Sequence, residues 1–289
     1  MTARTPLPSP SPPGARLALP GRLALPLREL ALDLAALVWP TTCVGCGAAD
    51  RECCRSCRAR LREAPEMLVR ELDGLPCVVR GRYEGPLRAV LVAFKHGGRA
   101  GFRRMLGEAL RAPLVRAIRI AALAASGRAS CAAGAAGAAG AAGAPGAPGA
   151  PGASGAPLIV AMPSRPRGVR ERGYRHLDVL IASALRRQRA PALRVAALRT
   201  TRGRVGQVGL SAAQRERNAR RIAVRRSARR IVRGRLVVLV DDIITTGASV
   251  RAARVALERA GASVVVIVAL CTAERLDSAG LPAKSRMNI

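Results

Sequence analysis

Aromatic residues are nearly missing from this chain: Trp39, Tyr83, Phe94, Phe102 and Tyr174 are the only ones in 289 residues. Any core must therefore be built from Val, Leu, Ile and Ala, and no row of rings exists on which successive bases of a single strand could stack. Lysine is scarcer still, with only Lys95 and Lys284, although Lys and Arg together number 49. Acids number 18, which leaves a formal net charge of +31 carried almost wholly by arginine. Such a field favours polyanions: nucleic acid, phosphorylated metabolites or an anionic membrane surface. A coding bias toward Ala, Arg, Gly and Pro is the other source of such a charge, and composition leaves both open. Long apolar runs are absent as well. None reaches the ~18 residues of a membrane span, and the Pro-punctuated N-terminus lacks the apolar stretch and cleavage site of a signal peptide. Histidine occurs twice, at His96 and His176. Neither stands in a motif with a carboxylate, so neither is read as a general base, and His176 is read as a surface residue.

Cysteine, by contrast, is plentiful and ordered. Four of the eight fall as Cys43-x2-Cys46-x7-Cys54-x2-Cys57, two hooks that supply the four soft ligands of a tetrahedral structural Zn²⁺. Gly45 and Gly47 permit the tight turn about the first hook, and Cys53 fits the spacing less well than Cys54. Cys77, Cys131 and Cys271 are read as non-ligands, Cys271 as core. Paired hooks suit metal binding in a reducing compartment better than a disulfide framework, which predicts a cytoplasmic protein.

Punctuation divides the chain. Residues 1–26 are rich in Pro and repeat Arg-Leu-Ala-Leu-Pro at 16–20 and 22–26, a composition that predicts disorder. Residues 27–64 are expected to form a short helix, with Leu30, Leu34 and Leu37 on one face, followed by the cysteine module. Residues 75–274 form the main domain, interrupted at 132–156 by a Gly/Ala/Pro tract read as a flexible surface insertion, and 275–289 form a tail. Within the main domain, strands are expected at 78–83, 158–162, 193–198, 236–240 and 264–270. Helices are expected at 86–95, 101–123, 174–187 and 248–260, and an Arg-rich helix starts at Ser211 after a polar loop to Gly209. Strands apolar on both faces and separated by helices predict a doubly wound α/β domain with a parallel sheet.

The strongest motif is Val240-Asp241-Asp242-Ile243-Ile244-Thr245-Thr246-Gly247-Ala248-Ser249. It places two acids and a Thr/Gly turn at the carboxyl end of a buried strand, just before a helix, where open parallel sheets bind their ligands. Gly247 lets successive N–H groups point into one concavity, while Thr245, Thr246 and Ser249 add hydroxyls and the helix start adds partial positive charge. Vicinal ribose hydroxyls can donate to Asp241 and Asp242, directly or through a Mg²⁺ hydration shell. Phosphate beside diol describes a ribose 5-phosphate. No Gly-x-x-x-x-Gly-Lys precedes a helix here, so the loop is not a Walker A motif.

Two basic segments accompany the motif. Lys95, Arg165, Arg170 and Arg172 are candidates for a pyrophosphate, since guanidinium groups can grip it bidentately. From Arg215 to Arg235 there are ten arginines and one acid, and Arg220, Arg221, Arg225 and Arg226 are candidates for the phosphates of nucleic acid. With stacking platforms absent, such binding would be electrostatic and weakly sequence-specific.

The loop resembles the PRPP-binding motif of type I phosphoribosyltransferases. Further segments occur in order: Trp39-Pro40 before Cys43-Val44-Gly45-Cys46-Gly47, Tyr83-Glu84-Gly85, Phe94-Lys95-His96, Arg170-Glu171-Arg172-Gly173-Tyr174, and Gln207-Val208-Gly209-Leu210 with Arg215 and Asn218. Together they resemble the ComF family from about residue 28 to 274. The resemblance implies a zinc finger, a PRPP-binding domain acting with Mg²⁺, and a role with single-stranded DNA and DNA-uptake proteins in natural transformation. It leaves open a true phosphoribosyltransferase of nucleotide metabolism, in which Asp241 and Asp242 serve catalysis, and a non-catalytic PRPP sensor. The chain departs from the family at Pro163-Ser164-Arg165, where Pro-Leu-His is usual, at Arg175-His176, where Asn-Gln is usual, and at Arg204, where Thr is usual.

Overall fold

Runs such as Leu236-Val237-Val238-Leu239-Val240 have no polar face, so they are stable only when covered on both sides. The computed structural model describes residues 41–49, 51–63, 68–96, 98–138, 156–186, 192–201 and 221–273. In chain order these form α1 (Arg55–Arg62), β1 (Leu68–Leu72), β2 (Leu75–Arg82), α2 (Gly85–His96), a 3₁₀ turn (Ala100–Phe102) and α3 (Arg103–Ala138). There follow β3 (Leu158–Ala161), α4 (Pro166–Arg172), α5 (His176–Leu185), β4 (Leu193–Val195), β5 (Leu198–Thr200) and β6 (Ile222–Val224). A 3₁₀ turn (Arg226–Ala228), α6 (Arg229–Val232), β7 (Leu236–Ile244), α7 (Ala248–Glu258) and β8 (Ser263–Thr272) complete the order.

The main sheet runs β1-β2-β8-β7-β3-β4. Every pairing in it is parallel except the β1–β2 hairpin at one edge. The expected α/β class with a mostly parallel sheet therefore holds. Central β7 carries Val237, Val238, Leu239 and Val240 at 0% exposure, and each such side chain contributes roughly 1.5–3 kcal/mol on burial. Helix α2 follows from sequence alone: Leu87, Val90, Leu91 and Phe94 recur at helical spacing and all are buried. Among the described residues no helix is long and apolar enough to cross a membrane.

Four elements differ from expectation. Helix α3 continues to Ala138, seven residues into the Gly/Ala/Pro tract. Alanine is the best helix former, so the Ala-rich start of the tract prolongs the helix before it. The expected strand 193–198 divides in two, because Ala197 N–H bonds back to Val195 C=O at 2.9 Å and bends the chain. As a result β4 joins the main sheet, while β5 pairs with β6 in a separate antiparallel ribbon. The expected Arg-rich helix does not run through 222–235. Ile222 and Val224 are buried on either side of a half-buried Ala223, a period of two that the surrounding arginines mask. Finally, β7 extends beyond Val240 through Ile244, so Asp241 and Asp242 lie inside a strand.

The expected N-terminal helix and its Pro-rich lead, the loop to Gly209, the start of the Arg-rich helix, Arg220 and the tail from 275 lie outside the described residues.

Candidate functional site

Two clusters of polar groups stand out. The first is the cysteine module. The Sγ atoms of Cys43, Cys46, Cys54 and Cys57 all lie within 4.8 Å of one another. A tetrahedral ion with Zn–S bonds near 2.3 Å needs sulfurs about 3.8 Å apart, so this donor set fits a metal of that kind. Backbone N–H groups already turn toward sulfur: Cys54 N–H to Cys43 Sγ at 3.3 Å and Cys57 N–H to Cys54 Sγ at 3.4 Å. A hydrogen bond from the Ser56 hydroxyl leads the effects that lower the Cys54 thiol to about 6, which favours the thiolate a metal requires. At Gly45 a Cβ would stand 2.8 Å from Cys57 Sγ, so only glycine passes there. Cys53 is buried but stands outside the cluster, and Cys77 and Cys271 are buried core. The module is tied to the domain by Arg80, whose Nη2 donates to Leu61 and Arg62 C=O at 3.0 Å.

The second cluster is charged and buried. Asp242 is 6% exposed. Its Oδ2 accepts from Lys95 Nζ at 2.7 Å and from His176 Nε2 at 2.6 Å. Lys95 lies in the last turn of α2, and that end is held in place: Arg172 donates to Lys95 C=O at 3.1 Å, and the Tyr174 ring packs on Phe94 at 5.6 Å. His176 opens α5 and is 8% exposed, which corrects its reading as a surface residue. The sequence signal was available. His176, Leu177, Leu180, Ile181 and Ala184 all fall on the buried face of α5, and His176 stands one helical turn ahead of Leu180. Its Nδ1 meets Ser164 Oγ at 3.2 Å. Ser164 is a second residue the sequence did not single out.

Consecutive residues of a strand face opposite sides, and the two acids accordingly differ. Burial penalises the charge of both. Lys95 and His176 overcome that penalty at Asp242 and hold it well below the usual carboxylate range. No described cation stands within ion-pair distance of Asp241, so burial and the adjacent Asp242 push it up to about 8. Lys95 remains charged despite burial because Asp242 raises it. Near neutral pH the strand end thus holds one carboxylate, balanced by one ammonium, and one neutral acid. Asp241 Oδ1 takes Asp242 N–H at 2.8 Å, and Asp242 Oδ2 takes both cations.

The turn after β7 brings the expected loop residues together. Gly247 adopts φ 71 and opens α7, a left-handed backbone that suits glycine. Thr245, Thr246, Ala248 and Ser249 flank it, all half-buried. The loop is braced by Arg251, which the sequence also left unmarked. Its guanidinium donates to Thr246 C=O at 2.5 Å and pairs with Asp73, in the β1–β2 turn, at 3.3 Å.

The remaining basic candidates scatter. Arg165 is exposed just before α4, and Arg172 caps α2 as described. Arg170 lines a pocket beyond β3 and β4 together with Arg225. Arg225 was expected on a nucleic-acid surface, yet its Nε donates to Leu198 C=O at 3.2 Å and its side chain is half-buried. Arg221 and Arg226 are exposed.

Residues 180–285 match the family model described as phosphoribosyl transferase domain. That stretch begins inside α5 and includes the whole of β7, the loop and α7. The likeness supports a type I phosphoribosyltransferase domain in this part of the chain. No curated protein matches the chain.

Proposed function

We propose that the chain binds PRPP, or another ribose 5-phosphate, at the loop 245–249. One observation carries this reading. A glycine with left-handed backbone opens a helix three residues after a buried parallel strand, whose carboxyl-terminal half carries two adjacent acids. The 5-phosphate would take the N–H groups and hydroxyls of Thr245, Thr246, Gly247, Ala248 and Ser249. The carboxyl groups of Asp241 and Asp242 are at hand for ribose hydroxyls. The charge pattern favours an anion, because Lys95 neutralises Asp242 and Asp241 holds its proton. Mg²⁺ arriving with PRPP would neutralise pyrophosphate charge. Isothermal titration of the full chain with PRPP and Mg²⁺ tests the reading: one site is expected, weakened by Thr246→Ala and by Asp241→Asn/Asp242→Asn. An Asp pair without influence on PRPP would overturn it.

Within this reading the protein is a ComF-like accessory protein of DNA uptake, with structural zinc in the cysteine module and single-stranded DNA along its exposed arginines. The ordered segments that resemble the family support the first part, and the exposed Arg221 and Arg226 support the last. Neutralising both should flatten the salt dependence of DNA binding, by about 0.7 in log–log slope for each lost phosphate contact. An unchanged slope would remove these arginines from any DNA surface. Pyrophosphate release from PRPP in the presence of a panel of bases separates a transferase of nucleotide metabolism from a PRPP sensor.

A further inference from the structure

Arg251 holds both carbonyls that flank Gly247. Its backbone N–H takes Gly247 C=O at 2.9 Å, the first bond of α7, and its guanidinium Nη2 takes Thr246 C=O at 2.5 Å. In a trans peptide the C=O and the N–H point in opposite directions, and the described residues contain no cis bond. The Ala248 N–H therefore leaves the start of the helix, and the Gly247 N–H points away from the guanidinium. The helix itself dictates the first orientation. Nothing in the helix dictates the second. Gly247 has φ 71, and glycine adopts the opposite sign about as readily. The Thr246–Gly247 peptide is thus free to turn over and to put its carbonyl where its N–H now stands. An anion is attracted by one of these faces and repelled by the other.

The guanidinium that makes this choice is itself held from behind. Its Nη1 pairs with Asp73 Oδ2 at 3.3 Å, and Arg254, one helical turn on, donates to Asp73 C=O at 2.7 Å. Asp73 and Gly74 form the two-residue turn between β1 and β2, with φ 50 and 77. Two successive left-handed residues make the type I′ turn that Asp-Gly favours. Leu72, just before the turn, is buried, and a Cβ on Gly247 would stand 3.1 Å from its Cδ1. The tip of the hairpin therefore backs the loop with an apolar contact at Gly247 and an ionic one at Arg251.

We propose that Arg251 is a positioning residue: its guanidinium, set by the Asp73 turn, selects the orientation of the Thr246–Gly247 peptide in which Gly247 N–H can meet a phosphate. The inference rests on the reading that loop 245–249 takes a 5-phosphate, and it adds two residues that act on the ligand only through the loop. Both guanidinium nitrogens are engaged, Nη2 with Thr246 C=O and Nη1 with Asp73, which separates this role from direct contact with the phosphate. It also gives the β1–β2 hairpin, remote in sequence from the loop, a part in ligand affinity.

Two measurements on the full chain test this. Ribose 5-phosphate is titrated calorimetrically, and the glycine amides are followed by NMR after labelling with ¹⁵N-glycine, without ligand. Arg251→Met is expected to weaken ribose 5-phosphate about tenfold, the worth of one charge-assisted hydrogen bond. It should also move the Gly247 resonance while Gly234 and Gly261, at the far ends of β7 and α7, stay in place and report an intact fold. Arg251→Lys keeps one donor for Thr246 C=O and should recover most of the affinity and the original resonance. Asp73→Gly separates positioning from bare charge, because glycine keeps the turn while a negative charge leaves the neighbourhood of the anion. An arginine acting by charge alone would then bind ribose 5-phosphate more tightly. An arginine positioned by Asp73 should bind it about two- to threefold more weakly, the scale of a half-exposed ion pair. Asp73→Gly also carries the test if Arg251→Met does not fold. Wild-type affinity in Arg251→Met, an unmoved Gly247 resonance, or tighter binding in Asp73→Gly would overturn the inference. A wild-type chain that ignores ribose 5-phosphate overturns the function proposed for the loop, and the ligand-free resonances then still decide whether Arg251 orients the peptide.

Discussion

The cysteine module and the cluster around Asp242 each gather four polar groups, yet they are built in opposite ways. Cys43, Cys46, Cys54 and Cys57 come from fifteen consecutive residues, and their sulfurs converge through local turns. Lys95, Ser164, His176 and Asp242 come from α2, the loop after β3, the start of α5 and β7. The first set is incomplete without a cation: its surroundings push Cys46 and Cys57 up as thiols, and only a metal would draw all four into the thiolate form. The second is complete without a guest, because ammonium, imidazole and carboxylate satisfy each other. A cluster encoded by spacing thus depends on a ligand for stability, whereas one assembled by the fold contributes stability from its own members.

Removing the metal should break the comparison most strongly. As-isolated protein is expected to hold about one Zn²⁺ per chain, and zinc-finger peptides draw roughly 10–16 kcal/mol of apparent free energy from the ion. Chelation, or Cys54→Ser, is expected to expose the segment 43–62 to protease and hydrogen exchange while leaving β7 protected. Full metal content in Cys54→Ser, or protection unchanged after chelation, would show that the module holds itself together.

Lys95→Met attacks the second cluster from within. It leaves a buried carboxylate with one partner fewer, a change that costs about 3–5 kcal/mol and should appear as a large fall in the urea midpoint. Adding Asp242→Asn should recover part of the loss, since the charge that needed Lys95 is then gone. A double variant no better than the single would mean that Lys95 acts through packing alone.

A smaller effect is expected at Gly247. Its φ of 71 strains any side chain, and a Cβ there would meet Leu72 Cδ1 at 3.1 Å and Arg251 Nη1 at 3.2 Å. Gly247→Ala should cost about 1–2 kcal/mol, with a larger effect on phosphate-loop function than on global unfolding. Stability equal to wild type would show that the β1–β2 turn yields readily.

The mildest test uses pH. Asp241 stands near 8 in the folded chain against 3.8 in its ordinary state, so between those values the folded state binds a proton that the unfolded state has released. Wild-type stability then falls as pH rises through that window, and Asp241→Asn is free of this contribution. The melting temperature of the variant should rise relative to wild type from pH 5 to pH 8. A constant gap would place the Asp241 carboxyl near its ordinary value.

Much of the fold was legible. Helix α2, strands β7 and β8 and the order of the α/β units follow from apolar periodicity, which is local and survives in one dimension. Periodicity failed where charge covered it. Ile222 and Val224 alternate among arginines that suggested a helix face, and Ala197 bends a stretch whose composition reads as one strand. His176 was misplaced for a related reason. A polar residue on an apolar helical face was assigned by type, although its spacing to Leu180 and Ala184 put it inside.

The sequence by itself determined the metal hooks and the glycine turn of the phosphate loop, because both depend on residues within about one turn of each other. Only the tertiary structure decided that Asp241 and Asp242 have different charges, that Arg225 joins Arg170 in a pocket, and that His176 meets Asp242. Those facts depend on which strands lie side by side. His176 and Asp242 are 66 positions apart, and neither short-range spacing nor composition carries the sheet order that brings them to 2.6 Å.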